Sequence, residues 1–194
     1  MIRCPWCGED PLYRDYHDRE WGVPLHDDRR LFEMLLLESF QAGLSWLTIL
    51  KKRENFRAAF DGFDPEKVAA YGTEKIEALM SDAGIIRNRR KIEAAVKNAK
   101  VYLELQKEFG SFDRYLWGWM NHQPRQHAFG DLSEIPAQDE ISRAISKDLK
   151  KRGMAFVGPV TVYAHMQSVG MVNDHITECF RHGQLANGQD AANG

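Results

Sequence analysis

The chain has 194 residues, a formal net charge of −2, and is 43% apolar and 28% charged, the profile of one well-packed soluble domain. No apolar run reaches the roughly 18 residues of a membrane span. The opening MIRCPWCGED has no secretory hydrophobic region, and three cysteines make a poor disulfide framework, so a reducing cytoplasm is expected.

Taken in chain order, the sequence predicts helices with short breaks. Asp27 or Asp28 caps a helix through RRLFEMLLLESFQA, and Pro65 opens a short one through PEKVAAY. Thr73 is placed to cap EKIEALMSDAG, with Gly84 to stop it. RNRRKIEAAVKNAKVYLELQKEFG reads as a long helix ending at Gly110, with Ile92, Val96 and Leu103 on one stripe. Ser111 caps SFDRYLWGWM, and Ile141, Ile145 and Leu149 recur every four residues in QDEISRAISKDLKKRG. VTVY is β-prone, but Pro159 before it suits a helix start; NDHITECFRHG reads as a last helix. Alternating strand patterns are nearly absent. The expected fold is all-α, a single globular domain over residues 1–182, followed by a flexible polar tail over 183–194.

Three basic islands, KKR at 51–53, RNRRK at 87–91 and KKR at 150–152, stand out from the near-neutral total. They could form a DNA-binding face; solvated helix faces account for the same pattern.

Cysteines and histidines gather at the two ends of the chain. Cys4, Cys7 and His17 lie near the start, and His175, Cys179 and His182 near the end. His175 and Cys179, four apart, would share a helix face and could bind one ion. Thiolate and imidazole donors suit zinc, with a closed set of four protein ligands leaving a structural staple and no open position. The residues alone leave the ligand set open, and small buried thiols explain lone cysteines equally well.

Glu38 sits in a run, Leu31 to Phe40, whose apolar side chains point nearly all round the helix, within about 40° of the line through Leu31, Met34 and Leu35 by the 3.6-residue period. A carboxylate there must find a partner, a proton or a ligand. Trp46 is near in sequence, and Trp6, Tyr13, Tyr16 and Trp21 can join it. Such rings are ordinarily core; around an anionic carboxylate they would also suit a flat cation. Near the end, the helix closing on Lys150, Lys151 and Arg152, the turn at Gly158 and the helix start at Pro159 form a hairpin around 150–169 able to hold a phosphate. An ordinary helical hairpin explains that pattern too.

Together, CPWCGEDPLYRDYHDREWGVP, LFEMLLLESFQAGLSWLTILKKRENFR, DAGIIRNRRKI, WMNHQP, LSEIP and FVGP…GMVNDHITEC resemble the 3-methyladenine DNA glycosylase I family of the helix-hairpin-helix glycosylases, over residues 4–179. The resemblance implies a monofunctional glycosylase that removes 3-methyladenine from alkylated double-stranded DNA by base flipping. It implies one structural zinc on Cys4, His17, His175 and Cys179, with Cys7 a bystander. It also implies a base pocket of Glu38, Tyr16 and Trp46 flanked by Tyr13, Trp6 and Trp21. Expected DNA contacts are a wedge at Leu44 in the Gly43-Leu44 turn and the hairpin residues Lys151, Arg152 and Gly158. Val160 stands where lyase members carry a lysine, so no Schiff base is expected. Asn173 replaces a catalytic aspartate common in the superfamily, and Phe156 replaces the first hairpin glycine. No role follows for Asn121 or His122 beyond a turn after a helix. A monomer without membrane contact is expected. The same residues also admit a zinc-stapled DNA-binding module without catalysis, a zinc hydrolase of another class, or an inert helical interaction protein.

Overall fold

The structure, a computed structural model, describes residues 1–188. Helix α1 (Pro11–Arg19) starts where the Asp10 carboxylate accepts from the Leu12 N–H. Asp27 caps α2 (Asp28–Gln41) in the same way through the Arg30 N–H. Asp28 turns elsewhere: its carboxylate accepts from the N–H groups of Phe112 and Asp113, at 2.9 and 2.8 Å, and so ties the helix that starts at Phe112 to α2. Ser45 caps α3 (Trp46–Ala59), and α4 (Pro65–Ala69) opens at its proline.

Helix α5 (Thr73–Ser81) departs from expectation. Gly72, not Thr73, is the N-cap, so the threonine falls inside the helix. The helix stops at Ser81, before Gly84, because the Asp82 carboxylate takes the Gly84 N–H at 2.7 Å and turns the chain first. Helix α6 (Arg89–Phe109) runs from an Asn88 cap to Gly110 in the left-handed region, where a side chain would be strained. Its buried stripe is Ile92, Ala95, Ala99, Tyr102 and Leu105, while Leu103 is only half-buried. Helix α7 (Phe112–Gly118) starts at the Ser111 cap. Asn121 and His122 form the left-handed turn after it, the His122 N–H returning to the Trp117 carbonyl. The strands β1 (Arg125–Gln126) and β2 (Val172–Asn173) make a two-residue parallel pair. Helices α8 (Glu140–Arg152) and α9 (Pro159–Ser168) form the hairpin, and α10 (Phe180–Ala186) closes the described chain.

The all-α reading holds, with two local corrections. Residues 174–179 are not helical: the Thr177 N–H is committed to the Phe129 carbonyl and the Cys179 N–H to that of Ile176, both at 2.8 Å. Residues 183–186, expected in the tail, belong to α10, where Leu185 is buried. Positions 189–194 of that expected tail lie outside the described residues.

Helix α2 is the centre of the fold. Every residue from Leu31 to Phe40 is buried, and α3, α6, α7 and α9 pack around it. Each fully buried Leu or Phe there contributes roughly 1.5–3 kcal/mol. The same burial holds the polar members of α2 in place and so positions the site.

Candidate active site and metal cluster

A cavity of about 370 Å³ opens between the N-terminal helices and α9. Its lining includes Trp6, Tyr13 and Tyr16, Trp21, Glu38 and Gln41 from α2, Trp46 from α3, and Val160, Tyr163 and Gln167 from α9. The predicted acid and all five predicted aromatic residues therefore meet. The rings brace one another: Trp6 lies 4.9 Å from Trp21 and 5.1 Å from Tyr13 between ring centres, and Tyr16 lies 5.5 Å from Trp46. The indole N–H groups of Trp6 and Trp46 are buried without a hydrogen-bond partner among the described residues. In a pocket wall such donors are available to a ligand.

Glu38 is 4% exposed, and no basic side chain pairs with it among the described residues. Burial pushes its carboxyl up to about 8, and only the Ser168 hydroxyl works the other way. Tyr16 is buried beside it, and its phenol is pushed well up, first by burial and then by the charge of Glu38. The site is an acid in an aromatic box, without a fixed counter-charge. It can favour a flat, positively charged ligand with N–H donors.

Behind the rings lies a cysteine–histidine cluster that could hold a metal ion. Sγ of Cys4 and Cys179, a ring nitrogen of His17 and Nδ1 of His175 all lie within 4.8 Å of one another, and all four residues are buried. Three of the four sulfur-to-nitrogen separations are 3.4–3.5 Å. A tetrahedral ion with zinc-like bond lengths demands edges of about 3.5 Å, so the donor set fits. The outer contacts fit too: His17 Nδ1 meets Asp18 at 2.7 Å, Arg3 holds Asp18, and His175 Nε2 donates to the Trp21 carbonyl at 3.0 Å. Burial lowers the His175 imidazole toward its neutral, ligating form. Cys179 is held far below the usual thiol range by its contact with Cys4 and then by both imidazoles, while the same contact pushes Cys4 up. Cys7 is buried outside the cluster. His182 is also outside, its Nε2 on the His127 carbonyl. His17 shares α1 with Tyr13 and Tyr16, so the cluster braces the wall of the cavity.

Two exposed apolar residues stand out, Val160 in the cavity lining and Leu44 in the turn between Gln41 and Trp46, which both line it. Leu44, 39% exposed, follows Gly43, whose φ of +82° makes the turn between α2 and α3. Lys91 holds that turn by donating to the carbonyls of Phe40 and Ala42, at 2.8 and 2.7 Å. Val160, 55% exposed, is the second residue of α9, two positions after the uncapped Gly158. Phe156 keeps the left-handed backbone, φ +56°, that a glycine would take more cheaply. The hairpin holds it there: Asn98 clamps both the N–H and the carbonyl of Ala155, and Ser146 donates to Val157.

The basic islands are largely spent on the protein. Arg53 is buried and Lys51 pairs with Asp10. Lys91 is an internal cap, and Arg152 is committed to Glu108 and Asp148. Arg87, Arg90, Lys150 and Lys151 remain exposed. Sequence reasoning missed four features. The LSEIP loop supplies Leu132, Ile135 and Pro136 to the cavity. Gln41, Tyr163 and Gln167 line it as well. Asp174 anchors Tyr163 and Gln167, and Glu33 is a second buried acid in α2. The conspicuous signal was Glu33, a carboxylate in the same apolar run as Glu38.

Fold and cavity define a mostly helical protein with an acid in an aromatic pocket and a cysteine–histidine cluster, able to hold a metal ion, that joins its two ends. The methyladenine glycosylase family model matches residues 6–182. The DNA-3-methyladenine glycosylase 1 of Escherichia coli is 53% identical over 179 residues, covering 92% of this chain and 96% of that protein. The DNA-3-methyladenine glycosylase of Haemophilus influenzae is 51% identical over 177 residues, covering 91% and 96%. Among solved structures, 3-methyladenine DNA glycosylase I from Staphylococcus aureus, studied for its 3-methyladenine recognition, superimposes with a TM-score of 0.90 at 42% identity, covering 93% and 96%. The chain belongs to the methyladenine glycosylase family, enzymes that hydrolyse N-glycosyl bonds. No helix among the described residues is long and apolar enough to cross a membrane.

Proposed function

We propose that this enzyme removes 3-methyladenine from alkylated double-stranded DNA in base-excision repair, and that it does so by recognising the charge of the lesion. The observation that carries this reading is Glu38: buried, facing an aromatic cavity, and without a cationic partner among the described residues. Methylation at N3 leaves adenine cationic and a good leaving group, so no strong acid is needed to protonate it. The damaged nucleotide flips out of the duplex. Its base enters the box of Trp6, Tyr13, Tyr16, Trp21 and Trp46 and stacks on Trp46, gaining ~0.5–2 kcal/mol of cation–π attraction. With its carboxyl pushed up to about 8, Glu38 holds a proton much of the time at neutral pH. The arriving cation favours the carboxylate, which accepts hydrogen bonds from the N–H edge of the base. Normal adenine is neutral and gains neither term. As the glycosidic bond breaks, positive charge moves to the sugar, DNA phosphates stabilise it, and water completes the hydrolysis.

Leu44 is the wedge that fills the gap left in the stack, carried by the Gly43 turn. Gly158 at the start of α9, with Lys151 nearby, holds a backbone phosphate. Arg152, already engaged by two carboxylates, serves the hairpin more than the DNA. With Val160 in place of a nucleophilic lysine, the enzyme stops at the abasic site. Cys4, His17, His175 and Cys179 would hold one zinc. Bound there, zinc would act as a structural ion that ties the chain ends together. The protein works as a cytoplasmic monomer.

The test is chromatography of bases released from methylated duplex DNA. Free 3-methyladenine should appear without strand cleavage at the abasic sites, and Glu38→Ala should reduce its release at least a hundredfold. Absence of released base from the wild type would favour a non-catalytic DNA-binding module. Metal analysis of the purified protein should return one zinc per chain.

A further inference from the structure

The α9 wall of the cavity carries an amide whose orientation is set from behind. Gln167 lines the cavity. Its backbone carbonyl accepts from the Gly22 N–H at 3.0 Å, and its side-chain Nε2 donates to Asp174 Oδ2 at 2.8 Å. Asp174 is fully buried. The same oxygen accepts from the Tyr163 hydroxyl at 2.8 Å, and Oδ1 meets Nδ1 of His127 at 2.6 Å. A carboxylate gathering three donors is an acceptor only, whereas a primary amide has one donor end and one acceptor end. Asp174 takes the donor end. The end left over is the carbonyl oxygen Oε1, which accepts no hydrogen bond from any described residue.

We propose that Gln167 is a specificity-determining residue, which presents Oε1 to the exocyclic amino group of the bound base, with Asp174 as the positioning residue that keeps the amide from turning over. This rests on the reading that the excised base occupies this cavity. The cavity then offers acceptors from Glu38 and Gln167, and unpartnered donors in the indole N–H groups of Trp6 and Trp46. An aminopurine, with N–H donors and ring-nitrogen acceptors, complements that set. A purine with a carbonyl in place of the amine would set oxygen against oxygen and leave both unsatisfied, a mismatch that sites built on hydrogen bonds reject strongly. Charge would thus select methylated over normal bases, and Gln167 would select amino over oxo among the methylated ones.

The experiment is equilibrium binding of free 3-methyladenine and of 3-methylhypoxanthine, its oxo counterpart, to the full-length wild type and to Gln167→Met. Wild type should prefer 3-methyladenine by at least tenfold. Gln167→Met should weaken 3-methyladenine by about that factor and leave 3-methylhypoxanthine unchanged or improved, so that the preference collapses. Gln167→Leu provides the same comparison should the methionine variant fold poorly. A variant that weakens both ligands equally would show that Gln167 only shapes the wall, which overturns the proposal while leaving the cavity as the base site. Failure of the wild type to bind either ligand would overturn both together.

Discussion

Glu33 and Glu38 stand on the same buried helix, 6% and 4% exposed, in surroundings that differ in one respect. Glu33 Oε1 accepts from Arg53 Nε at 2.6 Å and from Arg57 Nη2 at 2.8 Å. Arg53 in turn donates twice to Glu20, at 2.8 Å. Glu38 has no such partner among the described residues and faces the cavity. The first acid is a structural joint. Glu20 follows α1, Glu33 lies on α2 and Arg53 on α3, so one guanidinium links the three elements that carry Tyr16, Glu38 and Trp46. The second acid is left unpaired, at a cost in stability, for a ligand to pair. Burial alone therefore does not make a glutamate functional; burial without a counter-charge, beside a cavity, does.

Removing the paired acid should produce the largest effect. Glu33→Gln leaves a buried arginine short of charge, a change worth about 3–5 kcal/mol, visible as a lower midpoint in urea denaturation. A loss below about 1 kcal/mol would mean that Glu20 alone compensates Arg53, and the contrast between the two acids would weaken. Removing the unpaired acid should act in the opposite sense on stability. The folded chain binds the Glu38 proton more tightly than the unfolded chain does. Stability from this group is therefore full below about 4.5, falls as pH rises toward about 8, and is level above that, with a slope of at most about 1.4 kcal/mol per pH unit. Glu38→Gln should accordingly match wild type near pH 4 and melt higher than wild type at pH 8. The same variant should bind 3-methyladenine about a hundredfold more weakly, roughly 2.7 kcal/mol. Equal melting at both pH values would place the acid in a more polar setting than its burial implies.

The two acids also show what was legible in the sequence. Helix boundaries governed by local chemistry were readable: the caps at Asp27 and Ser111, the stop at Gly110 and the start at Pro159 all rest on neighbouring residues. Thr73 failed as a cap because Gly72 was free to take that position. Glu38 was visible as a carboxylate in an apolar run, but Glu33 had the same signature. Only tertiary structure decides which acid meets Arg53, and Arg53 itself reads in sequence as part of an exposed basic island. The cysteine–histidine cluster was legible as chemistry and not as geometry. Cys4 and His175 are 171 residues apart in the chain, and His175 approaches Cys179 through a turn, not along a helix face. Gln167 carried no signal at all, since its amide has meaning only against Asp174.

The smallest predicted effect separates the two arginines around Glu33. Arg57 has a side chain 36% exposed and shares itself between Glu33 and Glu54, so solvent screens it and can replace it. Arg53, 10% exposed at its side chain, has no comparable access to water. Arg57→Ala should therefore cost less than about 1 kcal/mol and leave the affinity for 3-methyladenine unchanged, because Glu33 keeps its shorter bond to Arg53 and the three helices stay joined. Urea titration and base binding on this one variant are sufficient. A loss as large as that of Glu33→Gln would shift the joint to Arg57, on the solvent side of Glu33, and the neutralisation of the first acid would then depend on salt. A change in base affinity would mean that the joint reaches the cavity electrostatically and not only by holding its walls.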